Sequence, residues 1–106
     1  MRVVVADDEA PARRKLLRFL RDSAGIEIVG EAAGGSETLA VIGATQPDVV
    51  FLDVQMPDLD GVRVAETLAA QERAPRIVFV TAFDRHAVRA FELDALDYLL
   101  KPFDRD

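Results

Sequence analysis

The chain reads as an α/β domain built on a parallel sheet. Three observations carry this: short apolar, β-branched runs recur along it, a helical pattern separates each run from the next, and the runs end on polar residues. Runs apolar on both alternating faces are what a strand covered by helices on both sides requires. The order is strand–helix four times and then a final strand, which implies right-handed crossovers and helices on both faces. At 106 residues and 50% hydrophobic content there is enough chain for one core and one domain.

The first strand, 3–6, is Val3-Val4-Val5-Ala6 and ends on Asp7-Asp8. A helix follows over about 10–23, with Pro11 in its first turn, where the missing N–H costs nothing, and Gly25 after its end. Ala12, Leu16, Phe19 and Leu20 form its apolar side, and Arg14, Arg18 and Arg21 its opposite side. The second strand, 26–33, alternates only in part, with Ile26, Ile28 and Gly30 opposite to Glu27, Val29 and Glu31, which suits an edge position. Gly34-Gly35 turns the chain. Ser36 and Glu37 open a short helix that carries Leu39, Ile42 and Gly43 inward before Pro47-Asp48 breaks it.

The third strand, 49–53, ends on Asp53. The connection after it, Val54 through Gly61, is long for its type, and long connections at this end of a parallel sheet carry function. Asp60 can cap a third helix, to about 72, that buries Val64, Ala65 and Leu68 before Pro75. The fourth strand, 77–80, ends at Thr81, Asp84 can cap a fourth helix to about 93, and the fifth strand, 98–100, ends at Lys101-Pro102.

Composition narrows the chemistry. Thirteen basic residues stand against 19 acidic ones, a net charge of −6, so the domain is a poor nucleic-acid binder by itself. Without cysteine, and with His86 as its one histidine, it offers neither disulfides nor thiolates nor a zinc ligand set. No apolar stretch approaches the roughly 18 residues of a membrane span and no secretory leader precedes the first strand, so a cytoplasmic location without membrane contact is expected.

Asp7, Asp8, Asp53, Thr81 and Lys101 all follow strand ends, where open α/β sheets bind ligands. Clustered carboxylates repel unless a cation joins them, and a hard divalent ion with oxygen ligands, Mg²⁺ before others, fits such a set. One carboxylate can attack phosphorus, its neighbours can hold the ion, and a lysine and a hydroxyl can stabilise phosphoryl oxygens.

These residues, with Pro57, Gly61 and Lys101-Pro102, resemble the receiver domain of two-component response regulators over the whole chain. The resemblance implies a flavodoxin-like, doubly wound five-stranded sheet in the order 2-1-3-4-5. It implies Asp53 as the phosphoacceptor, loaded from a phosphohistidine on a sensor histidine kinase, in a switch that catalyses only its own phosphorylation and dephosphorylation. Asp8 would be a direct Mg²⁺ ligand together with Asp53 and the Gln55 carbonyl, Asp7 would act through water, and Mn²⁺ could replace Mg²⁺. Thr81, Ala82 and Lys101 would bind the phosphoryl group, with Thr81 and Tyr98 as the switch pair.

Gln55 and Phe83 border the path of the hydrolytic water in the family. Phe83 has no group to orient that water, so a long-lived phosphoryl group is expected. Arg14 and Arg18 are expected to dock the kinase. The stretches Thr81-Ala82-Phe83-Asp84 and 90–102 are similar to receivers of the LytR/AlgR type, whose effector is a LytTR DNA-binding domain. Receivers also carry a fifth helix, and this chain stops soon after Phe103. A shortened domain is therefore expected, its open sheet face covered by a second copy or another chain, without an effector of its own.

Plainer readings stand beside these. Acids such as Asp7, Asp8 and Glu9 also begin helices at the positive dipole end, and Glu9 is expected as a first-turn residue rather than a ligand. Tyr98 alone suits a half-buried strand aromatic, the arginine stripe suits a solvated face, and His86 is expected to face solvent. The competing function is a Mg²⁺-dependent aspartyl-nucleophile phosphatase of haloacid-dehalogenase type. That type places Asp-x-Asp after one strand, whereas here the acids are adjacent and the presumed nucleophile follows another strand.

Overall fold

A computed structural model describes residues 1–53, 56, 58, 61–71, 74–81 and 97–100, with side chains at 62, 81 and 97–100 excepted. Five strands, β1 (Arg2–Ala6), β2 (Glu27–Ala32), β3 (Val49–Asp53), β4 (Arg76–Thr81) and β5 (Asp97–Leu100), form one parallel sheet in the order β2-β1-β3-β4-β5. This is the order expected, with β2 at an edge. Among the described residues the helices are α1 (Ala10–Arg21), α2 (Gly35–Thr45) and α3 (Gly61–Ala69). The expected fourth helix and its Asp84 cap, together with His86, lie outside the described residues, as does Asp60.

The alternation of each central strand divides the core in two. Val3, Val5, Val49, Val78 and Val80 pack on one side of the sheet against Leu16, Leu17 and Leu20 of α1. Val4, Ala6, Val50, Leu52, Ile77 and Phe79 pack on the other against Ile42 of α2 and Val64, Ala65 and Leu68 of α3. Each large aliphatic side chain removed from water here contributes roughly 1.5–3 kcal/mol before ordering costs. Leu17 widens the apolar stripe of α1 beyond the four residues expected, while Ala12 and Phe19 are only half-buried. Arg14, Arg18 and Arg21 are exposed, as the spacing predicts.

Two expectations about inward-facing residues are corrected. Gly43 is exposed, and α2 instead buries Gly35, Thr38 and Ile42. Thr38 is tolerated there because its hydroxyl donates to the Gly34 carbonyl at 2.7 Å. Gly30 does not share a face with Ile26 and Ile28. Val3 pairs with Ile28 but Val4 pairs with Gly30, so Val29 is an extra residue, a β-bulge, and the faces exchange beyond it. Ile28 packs with the α1 side, whereas Gly30 meets α2 so closely that an added Cβ would lie 2.5 Å from Val41 Cγ1. Strict period-two reading fails at a bulge.

Helix ends differ from expectation by a turn or less. α1 stops at Arg21 with Asp22 as its C-cap, and Gly25, at φ 84°, turns the chain into β2. α2 ends at Gln46 in the left-handed region (φ 48°), whose N–H donates to the Ile42 carbonyl at 2.8 Å. Among the described residues no helix is long and apolar enough to cross a membrane.

Candidate functional site

The strand order leaves a crevice at the carboxyl end between β1 and β3, because the chain runs from β1 outward to β2 and returns on the other side of β1 as β3. Ala6 pairs with Leu52, which places Asp7 and Asp53 on the next rung of the two central strands. Both are buried, at 1% and 5% exposure. Asp8 and Glu9 are exposed beside them, and one carboxylate oxygen from each of the four residues lies within 4.8 Å of the others.

The backbone keeps this cluster in place. The Asp7 N–H donates to the Ala32 carbonyl at 3.0 Å, and Asp7 Oδ1 accepts the Glu9 N–H at 2.9 Å. Arg13 Nη1 donates to the Asp7 carbonyl at 2.7 Å while its Nε meets Glu31 Oε1 at 3.2 Å. The β2 bulge places Glu31 opposite Val5, on the α1 side where Arg13 meets it. Arg13 was not among the residues picked out by motif, since its contact depends on the bulge. Its only sequence signal is a cation one and a half turns after the acid pair.

Glu9 is corrected as well. It is the N-cap residue of α1 and not part of its first turn, in extended backbone conformation (φ −93°, ψ 110°), and its carboxylate joins the cluster instead of capping the helix. The run Asp7-Asp8-Glu9 was the available signal. Four hard oxygen donors without nitrogen or sulfur suit a small divalent cation such as Mg²⁺ and would suit zinc poorly.

Thr81 closes β4 with its backbone opposite Leu100, one position beyond Val80, the partner of Asp53. Tyr98 lies in β5 opposite Phe79. The backbone thus brings the ends of β1, β3, β4 and β5 to one edge of the sheet. Gln55, Pro57, Ala82, Phe83, Lys101 and Pro102 lie outside the described residues.

Residues 3–106 match the family described as the response regulator receiver domain. The chain belongs to that family. The receiver is 46% identical over 104 residues to the transcriptional regulatory protein BtsR of Escherichia coli and 44% identical over 106 residues to the sensory transduction protein LytT of Bacillus cereus. These alignments cover 98% and 100% of this chain but 43% of each relative, so the chain spans less than half the length of either. Both relatives are LytTR-type regulators, in agreement with the resemblance. The response regulatory domain of mrkE from Klebsiella pneumoniae superposes with a TM-score of 0.92 at 39% identity, covering 98% of this receiver and 85% of that chain. Receivers are signalling switches of two-component systems.

Proposed function

We propose that this receiver accepts a phosphoryl group on Asp53 and signals through the change that follows. The observation that carries the reading is the carboxylate cluster, with Asp53 and Asp7 buried on adjacent central strands and Asp8 exposed beside them. In the reaction, a carboxylate oxygen of Asp53 attacks phosphorus and the imidazole nitrogen of a kinase phosphohistidine departs, leaving an acyl phosphate. Asp8, Asp53 and the Gln55 carbonyl would hold Mg²⁺, or Mn²⁺ in its place, with Asp7 acting through water. The ion would supply charge neutralisation for the phosphoryl oxygens.

Thr81, Ala82 and Lys101 are assigned to those oxygens, and Thr81 with Tyr98 to the switch that changes the surface. Arg14 and Arg18, exposed on α1, are assigned to kinase docking. The readout is transcription control through a LytTR-type DNA-binding domain, with the protein acting in the cytoplasm.

The test is incubation with Mg²⁺ and acetyl phosphate followed by mass spectrometry. One added phosphoryl group on wild type and none on Asp53→Asn supports the reading, and an unmodified wild type overturns it. Phe83 then sets the lifetime: Phe83→Glu is expected to shorten it, and unchanged or slower loss of the acyl phosphate would count against that assignment.

A further inference from the structure

The connection from β3 to α3 begins at the phosphoacceptor and is fastened to the fold at two described points. Met56 is buried in the core shared with α2 and α3. Asp58 is exposed, yet its Oδ1 accepts the Gly35 N–H at 2.7 Å and its Oδ2 accepts the Ser36 N–H at 3.0 Å, so it binds the first two amides of α2 from 22 and 23 residues away.

Helix α2 has no side-chain cap of its own, because Gly34 occupies the N-cap position. A Cβ at Gly34 would lie 3.0 Å from Asp58 Oδ1, a tight contact that the glycine avoids. Hydrogen bonds from the Ser36 amide, the Ser36 hydroxyl and the Gly35 amide hold the Asp58 carboxyl far below the usual carboxylate range. The contact is therefore between an anion and the positive end of a helix, a bidentate tether and not a chance approach.

We propose that Asp58 is a positioning residue for the acid cluster: bound to the N-terminus of α2, it fixes the far end of the segment that starts at Asp53 and so holds the ion-binding geometry. This rests on the reading that Asp53 and its neighbours bind Mg²⁺. Residues that orient metal ligands typically change affinity by 10–100-fold when lost.

A cap and a tether predict different results for a pair of variants. Asp58→Ala removes both. Gly34→Asp combined with Asp58→Ala returns a carboxylate cap to α2, with space for it now open, but leaves the connection untied. Mg²⁺ affinity is measured by calorimetry on the unphosphorylated protein, below every melting temperature, together with the Mg²⁺ dependence of phosphorylation by acetyl phosphate.

The dissociation constant is expected to rise about tenfold in both variants, while the phosphorylation rate at saturating Mg²⁺ stays within twofold of wild type. Gly30→Ala, a destabilising change in β2 that presses on Val41 of the same helix without touching Asp58, is expected to keep wild-type affinity. Wild-type affinity in the double variant, or equal weakening in Gly30→Ala, overturns the proposal by reducing Asp58 to a helix cap. Absence of Mg²⁺ binding in the wild type itself would instead overturn the reading of the acid cluster, and the two failures are told apart by the wild type alone.

Discussion

At the amino end of the sheet, Asp48 accepts the Arg2 N–H on Oδ2 at 2.8 Å and the Arg76 N–H on its carbonyl at 3.0 Å, joining the residue before β3 to the first residues of β1 and β4. At the carboxyl end, Asp7, Asp8, Glu9 and Asp53 instead bring carboxylate oxygens within 4.8 Å of one another. The difference follows from strand polarity. Parallel strands begin by presenting N–H groups, which an acid can satisfy locally, and they finish by presenting carbonyls, which it cannot. An acid at the start of this sheet serves stability, and acids at its end collect charge that a cation can use.

Removing one acid from each end should therefore give opposite results. Asp8→Asn is expected to weaken Mg²⁺ binding by about two orders of magnitude, measured by calorimetry. Stabilisation by Mg²⁺, about 2.7 kcal/mol when the ion is at 100 times the wild-type dissociation constant, should fall to about 0.4 kcal/mol at the same concentration in thermal melts. The metal-free stability of this variant should stay within about 1 kcal/mol of wild type, since Asp8 is exposed. A large loss of metal-free stability would break the comparison.

Gly30→Ala tests packing away from either end. Its Cβ would meet a β-branched side chain that cannot swing aside, so chemical denaturation should show a loss of about 1–3 kcal/mol with phosphorylation retained. Asp48→Ala should cost about 1 kcal/mol in the same assay and leave Mg²⁺ affinity unchanged. Weakened Mg²⁺ binding there would show that the two ends are coupled.

The smallest effect is a pH dependence. Because Asp58 is held below its ordinary pKa of 3.8, its stabilising contribution is fully present above that value and is lost as the pH falls through the lower folded value. The stability difference between wild type and Asp58→Asn should stay constant from pH 7 to about 4 and narrow below, followed by denaturant titration. A difference that narrowed already between pH 7 and 5 would contradict it.

Much of this was readable from the chain. Unbroken β-branched runs have few alternatives to buried parallel strands, so β1, β3 and β4 came within a residue of their observed ends, and with them the rung shared by Asp7 and Asp53. What escaped depends on contacts remote in sequence. The bulge at Val29 answers to the twist and pairing of β1, the role of Arg13 follows from the bulge, and Asp58 reaches α2 from a different connection. Gly43 was misplaced because a glycine carries no polarity to mark its side of a helix.

The bulge has a consequence for chain length. Val29 is the unpaired residue between Ile28 and Gly30, whose partners Val3 and Val4 are adjacent. Deleting it would leave Ile28, Gly30, Glu31 and Ala32 opposite their present partners and on their present faces. β2 can therefore lose one residue without a frame error, sacrificing only the packing of Val29 and the bend it imposes. At the neighbouring position on β1, where no residue is spare, a deletion would turn the rest of that strand inside out.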